Sequence, residues 1–254
     1  MIPAWPLDDV LAAAAVAGFR DVGLDDLTVA GADPEEVAAL LRSHGLVCTD
    51  VGVLRVGAGE IRPQAEGLAA LASATGADVC IAALYTPTPA EALAHLRTGA
   101  ALLGDVGVRI ALEFAPYGGL PTLADAIDVC AAVGWDRCGL LVDTWHFFRS
   151  DEPWSLLRSL DADQIALVHV NDAPAPERDL VYESRFRRLP VGSGTFAIGE
   201  FADALASTGY DGVLSNEVLS SALRRRPPVD GARELLASLH RSWPLGPPST
   251  VEMN

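Results

Sequence analysis

The sequence predicts an α/β fold: one barrel in which eight parallel strands alternate with helices, the first strand shortened. Three observations carry this. Compact apolar runs alternate with amphipathic stretches along nearly the whole chain, which is the rhythm of strand–helix units around a parallel sheet. The 254 residues, half of them hydrophobic, suffice for one large core, and barrels of this length are commonly a single domain. Four apolar runs also end on a residue able to bind a divalent metal: RIALE at Glu113, GLLVD at Asp143, IALVH at His169 and GVLSNE at Glu217. In a closed (β/α)8, or TIM, barrel the strand ends converge on one face, so residues distant in sequence become neighbours there.

After the short start MIPAWP, the pattern reads in order as helix 7–18, strand 20–24, helix 33–44, strand 46–53, helix 64–76, strand 78–84, helix 89–103 and strand 108–114. It continues as helix 122–134, strand 139–143, helix 154–160, strand 164–170, helix 197–209, strand 213–217 and helix 230–241. That makes seven strands, with residues 1–4 as a clipped first one. Either the barrel closes with a stub strand, or a longer first strand begins upstream of the given start. Residues 1–243 are expected to form the domain, and 244–254, with three prolines and no periodicity, a mobile tail.

Composition narrows the chemistry. The net charge of −16 repels phosphate backbones and anionic lipid, so neither nucleic acid nor membrane is an expected partner. All 18 basic residues are arginine. Without a lysine amine, Schiff-base aldolases, pyridoxal enzymes and Walker-type nucleotide sites are excluded, and a carbanion would need another electrophile such as a metal. Cys48, Cys80, Cys130 and Cys138 form no CxxC pair and read as buried free thiols. No signal peptide opens the chain and no apolar run reaches roughly 18 residues, so the expectation is a soluble cytoplasmic protein.

Glu113, Asp143, His169 and Glu217 would make a hard, oxygen-rich shell suited to manganese, magnesium or cobalt, with zinc also acceptable. Its formal charge of about −3 is hard to sustain in a barrel mouth without a cation. In GLLVDTWHFFRS, His146 lies three residues after Asp143, where a loop is expected above the mouth. It reads as a contact to substrate hydroxyls or as a structural loop histidine. Trp145, Phe147 and Phe148 either wall a sugar pocket or pack beneath that loop. Asp172 in IALVHVND is placed to orient the His169 ring from outside the shell, or to cap the next turn. Arg185, Arg187 and Arg188 in ESRFRRLPVGSG form either a carboxylate or oxyanion clamp, or a solvated loop paired with the protein's own acids.

Together LEFAP, VDTWH, HVNDAP, RRLPVGSG and GYDGVLSNEV resemble the sugar phosphate isomerase/epimerase family, the xylose-isomerase-like barrels, over about residues 7–220. The resemblance implies that Glu113, Asp143, His169 and Glu217 ligate one divalent ion. By likeness to the family's ketose 3-epimerases, Glu113 and Glu217 would also serve as acid and base. His146, with Arg187 or, if the turn is aligned on its glycines, Arg188, would hold substrate oxygens. Two departures stand out. Those epimerases carry a further glutamate where this chain has Gly119, and bacterial 3-dehydroshikimate dehydratases, whose SRxRxxP loop is similar to 184–190, carry a histidine where this chain has Leu120.

The resulting expectation is a metal-dependent isomerase or epimerase of a small polyhydroxylated keto sugar or cyclitol, working through an enediolate. The alternatives are a dehydratase of a keto-cyclitol or 3-dehydroshikimate-like acid, with Arg185 and Arg187 on the carboxylate, and a non-catalytic sugar-binding barrel or complex subunit. A homodimer is the family-level expectation.

Overall fold

The computed structural model describes residues 5–26, 28–57, 59–85 and 89–243. Seven strands, β1 (Asp21–Asp25), β2 (Val47–Val56), β3 (Val79–Leu84), β4 (Arg109–Glu113), β5 (Cys138–Asp143), β6 (Ile165–Val170) and β7 (Leu214–Asn216), form one parallel sheet in chain order. Around it run α1 (Leu7–Ala17), α2 (Pro34–His44), α3 (Ile61–Thr75), α4 (Pro89–Gly104), α5 (Leu123–Val133), α6 (Thr144–Arg149), α7 (Trp154–Arg158), α8 (Leu180–Phe186), α9 (Ile198–Ser207) and α10 (Pro228–Ser242). The expected barrel architecture is the observed one. Among the described residues no helix is long and apolar enough to cross a membrane.

Local chemistry sets several helix ends. Asp33 accepts from the Glu35 N–H at 2.9 Å to open α2, Pro34 takes the first helical position, and Gly45, at φ 67°, closes the helix in the left-handed region. Thr122 caps α5 in the same way.

The period of two along a strand sends alternate side chains to opposite faces. Ile110, Leu112, Leu140, Val142 and Val168 point outward into the main core shared with the helices. Ala111, Leu141 and Leu167 form a separate inner layer inside the barrel. Two residues beyond each of them stand Glu113, Asp143 and His169, which therefore rise from that apolar floor toward the mouth.

Three features differ from the sequence expectation. The last strand is three residues long, so Glu217 follows it instead of ending it. The segment after Asp143 is the helix α6 and not a loop, because the Asp143 side chain caps it. Part of the long connection after His169 is likewise helical, as α8. The expected stub strand at 1–4 and the tail at 244–254 lie outside the described residues.

Among the described residues, β1 and β7 are the two edges of the sheet. Between them lies a cavity of about 1000 Å³, lined by both strands and by α1 and α10, and reaching Glu113, His169 and Glu217. Outside it α1 packs on α10. The approach is close at Gly18, where an added Cβ would sit 3.3 Å from Leu236 and φ is 107°.

Candidate active site

Parallel register brings the predicted ligands together. Glu113 pairs with Leu141 across β4 and β5, and Asp143 pairs with His169 across β5 and β6. Glu217 is tied to β6 by its backbone N–H, which donates to the Val170 carbonyl at 3.3 Å. Glu113, Asp143, His169 and Glu217 each present one ligand-type atom, and these atoms all lie within 4.8 Å of one another.

The His169 ring shows how such a group would use a cation. Its Nδ1 is buried without a hydrogen-bond partner, yet faces Glu217 Oε2 at 3.6 Å and Asp143 Oδ2 at 3.9 Å. Both separations are too long for a hydrogen bond and suit donors that share a central ion. One imidazole nitrogen with three carboxylates is a donor set for a divalent ion, so the residues fit. Burial by itself would lower the His169 pKa, but Glu217, Asp143 and Asp50 together raise it to about 9. Burial pushes the Glu217 carboxyl up, and Arg188 with His169 outweighs it, holding the group well below the usual range.

Asp143 is the most heavily used carboxylate of the four. Its Oδ1 accepts from the Trp145 N–H at 2.6 Å and the His146 N–H at 3.2 Å. Asn171 Nδ2 donates to both of its oxygens at 3.2 Å, and Arg188 Nη1 donates to Oδ2 at 2.8 Å. Asn171 is held in turn by Thr144, whose Oγ1 donates to the Asn171 carbonyl and accepts from its N–H.

The remaining predicted residues separate. His146, 1% exposed, sets Nε2 3.2 Å from Glu113 Oε1, inside the cluster. Arg188, 2% exposed, also lies inside it. Arg187 is directed outward into an ion pair with Glu177 at 2.5 Å, and Arg185 is exposed on α8, so the structure does not gather the three arginines into one clamp. Trp145, a residue of α6, is fully buried, with its indole N–H donating to Glu183 at 3.0 Å; it anchors the helix and does not wall a pocket. Phe148 stacks on Phe196 at 4.4 Å. Asp172 accepts from the N–H groups of Ala173, Gly194 and Phe196, so it ties two loops together and is not the orienting partner of His169.

Sequence reading missed five supports: Glu183, Ser184, Tyr117, Asp50 and Asn171. Glu183 is fully buried and accepts from Trp145, from Arg149 Nε at 2.6 Å and from the Glu177 N–H. Ser184 holds the Arg188 side chain, and Tyr117 places its hydroxyl 3.0 Å from Ser184 Oγ while its ring meets His146 edge-on. Asp50, 3% exposed on β2, needs the space left by Gly23, where a Cβ would clash with its carboxylate. Only Asn171 had a visible signal, its place in the HVND run beside His169.

With this geometry in place, the family described as xylose isomerase-like TIM barrels matches residues 11–242. The chain belongs to that family. A 3-dehydroshikimate dehydratase of Pseudomonas aeruginosa is 30% identical over 249 residues, covering 91% of this chain and 39% of the relative. An inosose isomerase of Halalkalibacterium halodurans is 31% identical over 115 residues, 44% of this chain and 40% of the relative. The chain thus spans about two fifths of the length of these curated relatives. Among solved structures, the IOLI protein with a bound zinc atom superposes with a TM-score of 0.83 at 16% identity, covering 93% of this chain and 92% of that one. At that identity the likeness speaks for the fold.

Proposed function

We propose that this barrel is a divalent-metal-dependent isomerase or epimerase of a small polyhydroxylated keto compound, such as a keto sugar or inosose. The observation that carries the reading is the convergence of Glu113, Asp143, His169 and Glu217, with the unpartnered His169 Nδ1 facing the carboxylates. Manganese suits this donor set best, and magnesium, cobalt and zinc are also acceptable. When bound, the ion would act as a Lewis acid toward the substrate carbonyl and ease loss of the adjacent C–H proton. Glu113 and Glu217 would take and return that proton, and His146, whose Nε2 lies 3.2 Å from Glu113 Oε1, would fix that carboxylate and hold a substrate oxygen. The apolar floor of Ala111, Leu141 and Leu167 keeps water from entering from below.

The test is turnover of an inosose and a set of ketoses by the manganese-loaded protein, read by chromatography and mass. An isomer of unchanged mass is expected, and Glu217→Gln should lose roughly 10²–10⁴-fold in rate while remaining folded. A metal-loaded variant that keeps its activity would overturn the role of Glu217.

A second reading, a dehydratase of a keto-cyclitol or dehydroshikimate-like acid, is favoured by the length of the match to the Pseudomonas dehydratase. Against it, Arg187 is spent on Glu177 and Arg185 lies outside the cluster. Loss of water from the substrate, with new ultraviolet absorbance, distinguishes it.

A further inference from the structure

Arg188 is placed by the chain on both of its sides. Its backbone N–H donates to the Leu219 carbonyl at 3.2 Å, while its neighbours Arg187 and Leu189 bridge to Ser220 and Asp172. The side chain therefore reaches inward between the end of β5 and the residue after β7. Nη1 donates to Asp143 Oδ2 at 2.8 Å and to Glu217 Oε2 at 2.5 Å. Nε donates to the Ser184 carbonyl and Nη2 to Ser184 Oγ, both at 2.9 Å, and Nη2 also points at His146 Nε2 at 3.5 Å. A guanidinium has five N–H groups: four go to Asp143, Glu217 and Ser184, and the fifth points toward His146 Nε2, which itself lies 3.2 Å from Glu113 Oε1.

Two of the four candidate ligands thus already share a buried, permanent positive charge. Glu113, Asp143 and Glu217 bring three negative charges, and Arg188 leaves two, which a divalent ion balances. A cation a few ångströms away repels an incoming ion, but removing it leaves crowded carboxylates with nothing to offset them. We propose that Arg188 is the resident counter-cation of this cluster: it holds Asp143 and Glu217 in place and, by its charge, lowers the affinity with which they take a divalent metal. This rests on the reading of the four residues as a metal site. It makes Arg188 a positioning residue for the two carboxylates.

The experiment compares manganese binding, by calorimetric titration of chelator-treated protein, and melting temperature with and without manganese, for the unaltered protein, Arg188→Met and Arg188→Lys. The neutral variant should bind manganese at least tenfold more tightly, melt lower without metal, and gain more in melting temperature from manganese than the unaltered protein does. Arg188→Lys keeps the charge and should stay within a few-fold of the unaltered affinity. If Arg188→Met does not fold, Arg188→Gln, neutral but still able to donate to Asp143, carries the same expectation. Unchanged or weaker manganese binding in the neutral variant, or equal tightening in Arg188→Lys, overturns the proposal while leaving the metal site standing. No manganese uptake by the unaltered protein overturns both, and is told apart because the first titration alone reveals it.

Discussion

The arc β4–β6 and the seam between β1 and β7 differ in both composition and burial: RIALE, CGLLVD and IALVHV form the arc, DVGLD and LSN the seam. Every residue of β5 is buried, whereas β1 buries only Leu24 and β7 is half-buried throughout. Among the described residues, a strand in the arc has a hydrogen-bonded neighbour on each side, and each seam strand has one. Burial here follows both the apolar content of a strand and the strands that flank it. The candidate site straddles the two regions. Asp143, with its side chain 0% exposed, is fixed by the arc, and Glu217, at 31%, stands at the seam and owes its position to Arg188 and to one backbone bond from β6.

If that contrast is right, the same deletion should cost far more in the arc. Asp143→Ala would remove the cap of α6 and leave Arg188 with one carboxylate fewer. We expect a loss of about 3–5 kcal/mol in urea unfolding, against a clearly smaller loss for Glu217→Ala. Equal losses would break the comparison. Apolar truncation sharpens it further. Leu141→Ala, in the inner layer, is expected to cost about 2–5 kcal/mol, and Leu214→Ala, half-buried at the seam, about 1 kcal/mol, because its surroundings already open onto a cavity.

A pH dependence joins the two regions through His169. Its folded-state pKa is raised above 6.5 to about 9. The stabilisation it contributes is therefore complete below about pH 6.5 and disappears as pH climbs through about 9. Metal-free protein should accordingly melt progressively lower across that window, and manganese affinity should rise over the same range, because ligation requires the neutral ring. A flat melting temperature in His169→Asn, set against a sloping one in the unaltered protein, would assign the slope to this residue.

The site was legible wherever local pattern and strand geometry coincide. A residue two positions past an inward-facing apolar one, at the end of an apolar run, must sit above the floor of a parallel barrel. Glu113, Asp143 and His169 were found as metal-capable ends of apolar runs, and the inner layer of Ala111, Leu141 and Leu167 beneath them gives the structural reason they meet. The arginines were not separable this way. Arg185, Arg187 and Arg188 share one charged run, and only the bridges to Asp172 and Ser220 decide that Arg188 turns inward while Arg187 reaches Glu177. The role of Asp172 failed for a similar reason: nearness in sequence to His169 suggested a partner, and two distant loop N–H groups claimed the carboxylate instead.

By itself, the sequence determined the alternation of strands and helices and a set of metal-capable ends on one rim. These follow from periodicity, which is local. Only the tertiary structure decided that β7 stops short of Glu217, that Glu183 anchors α6 from below, and that a buried guanidinium bridges the carboxylates of Asp143 and Glu217. Each of these depends on contacts between residues tens of positions apart, and such pairings are set by the packing of the whole barrel, which no window of sequence contains.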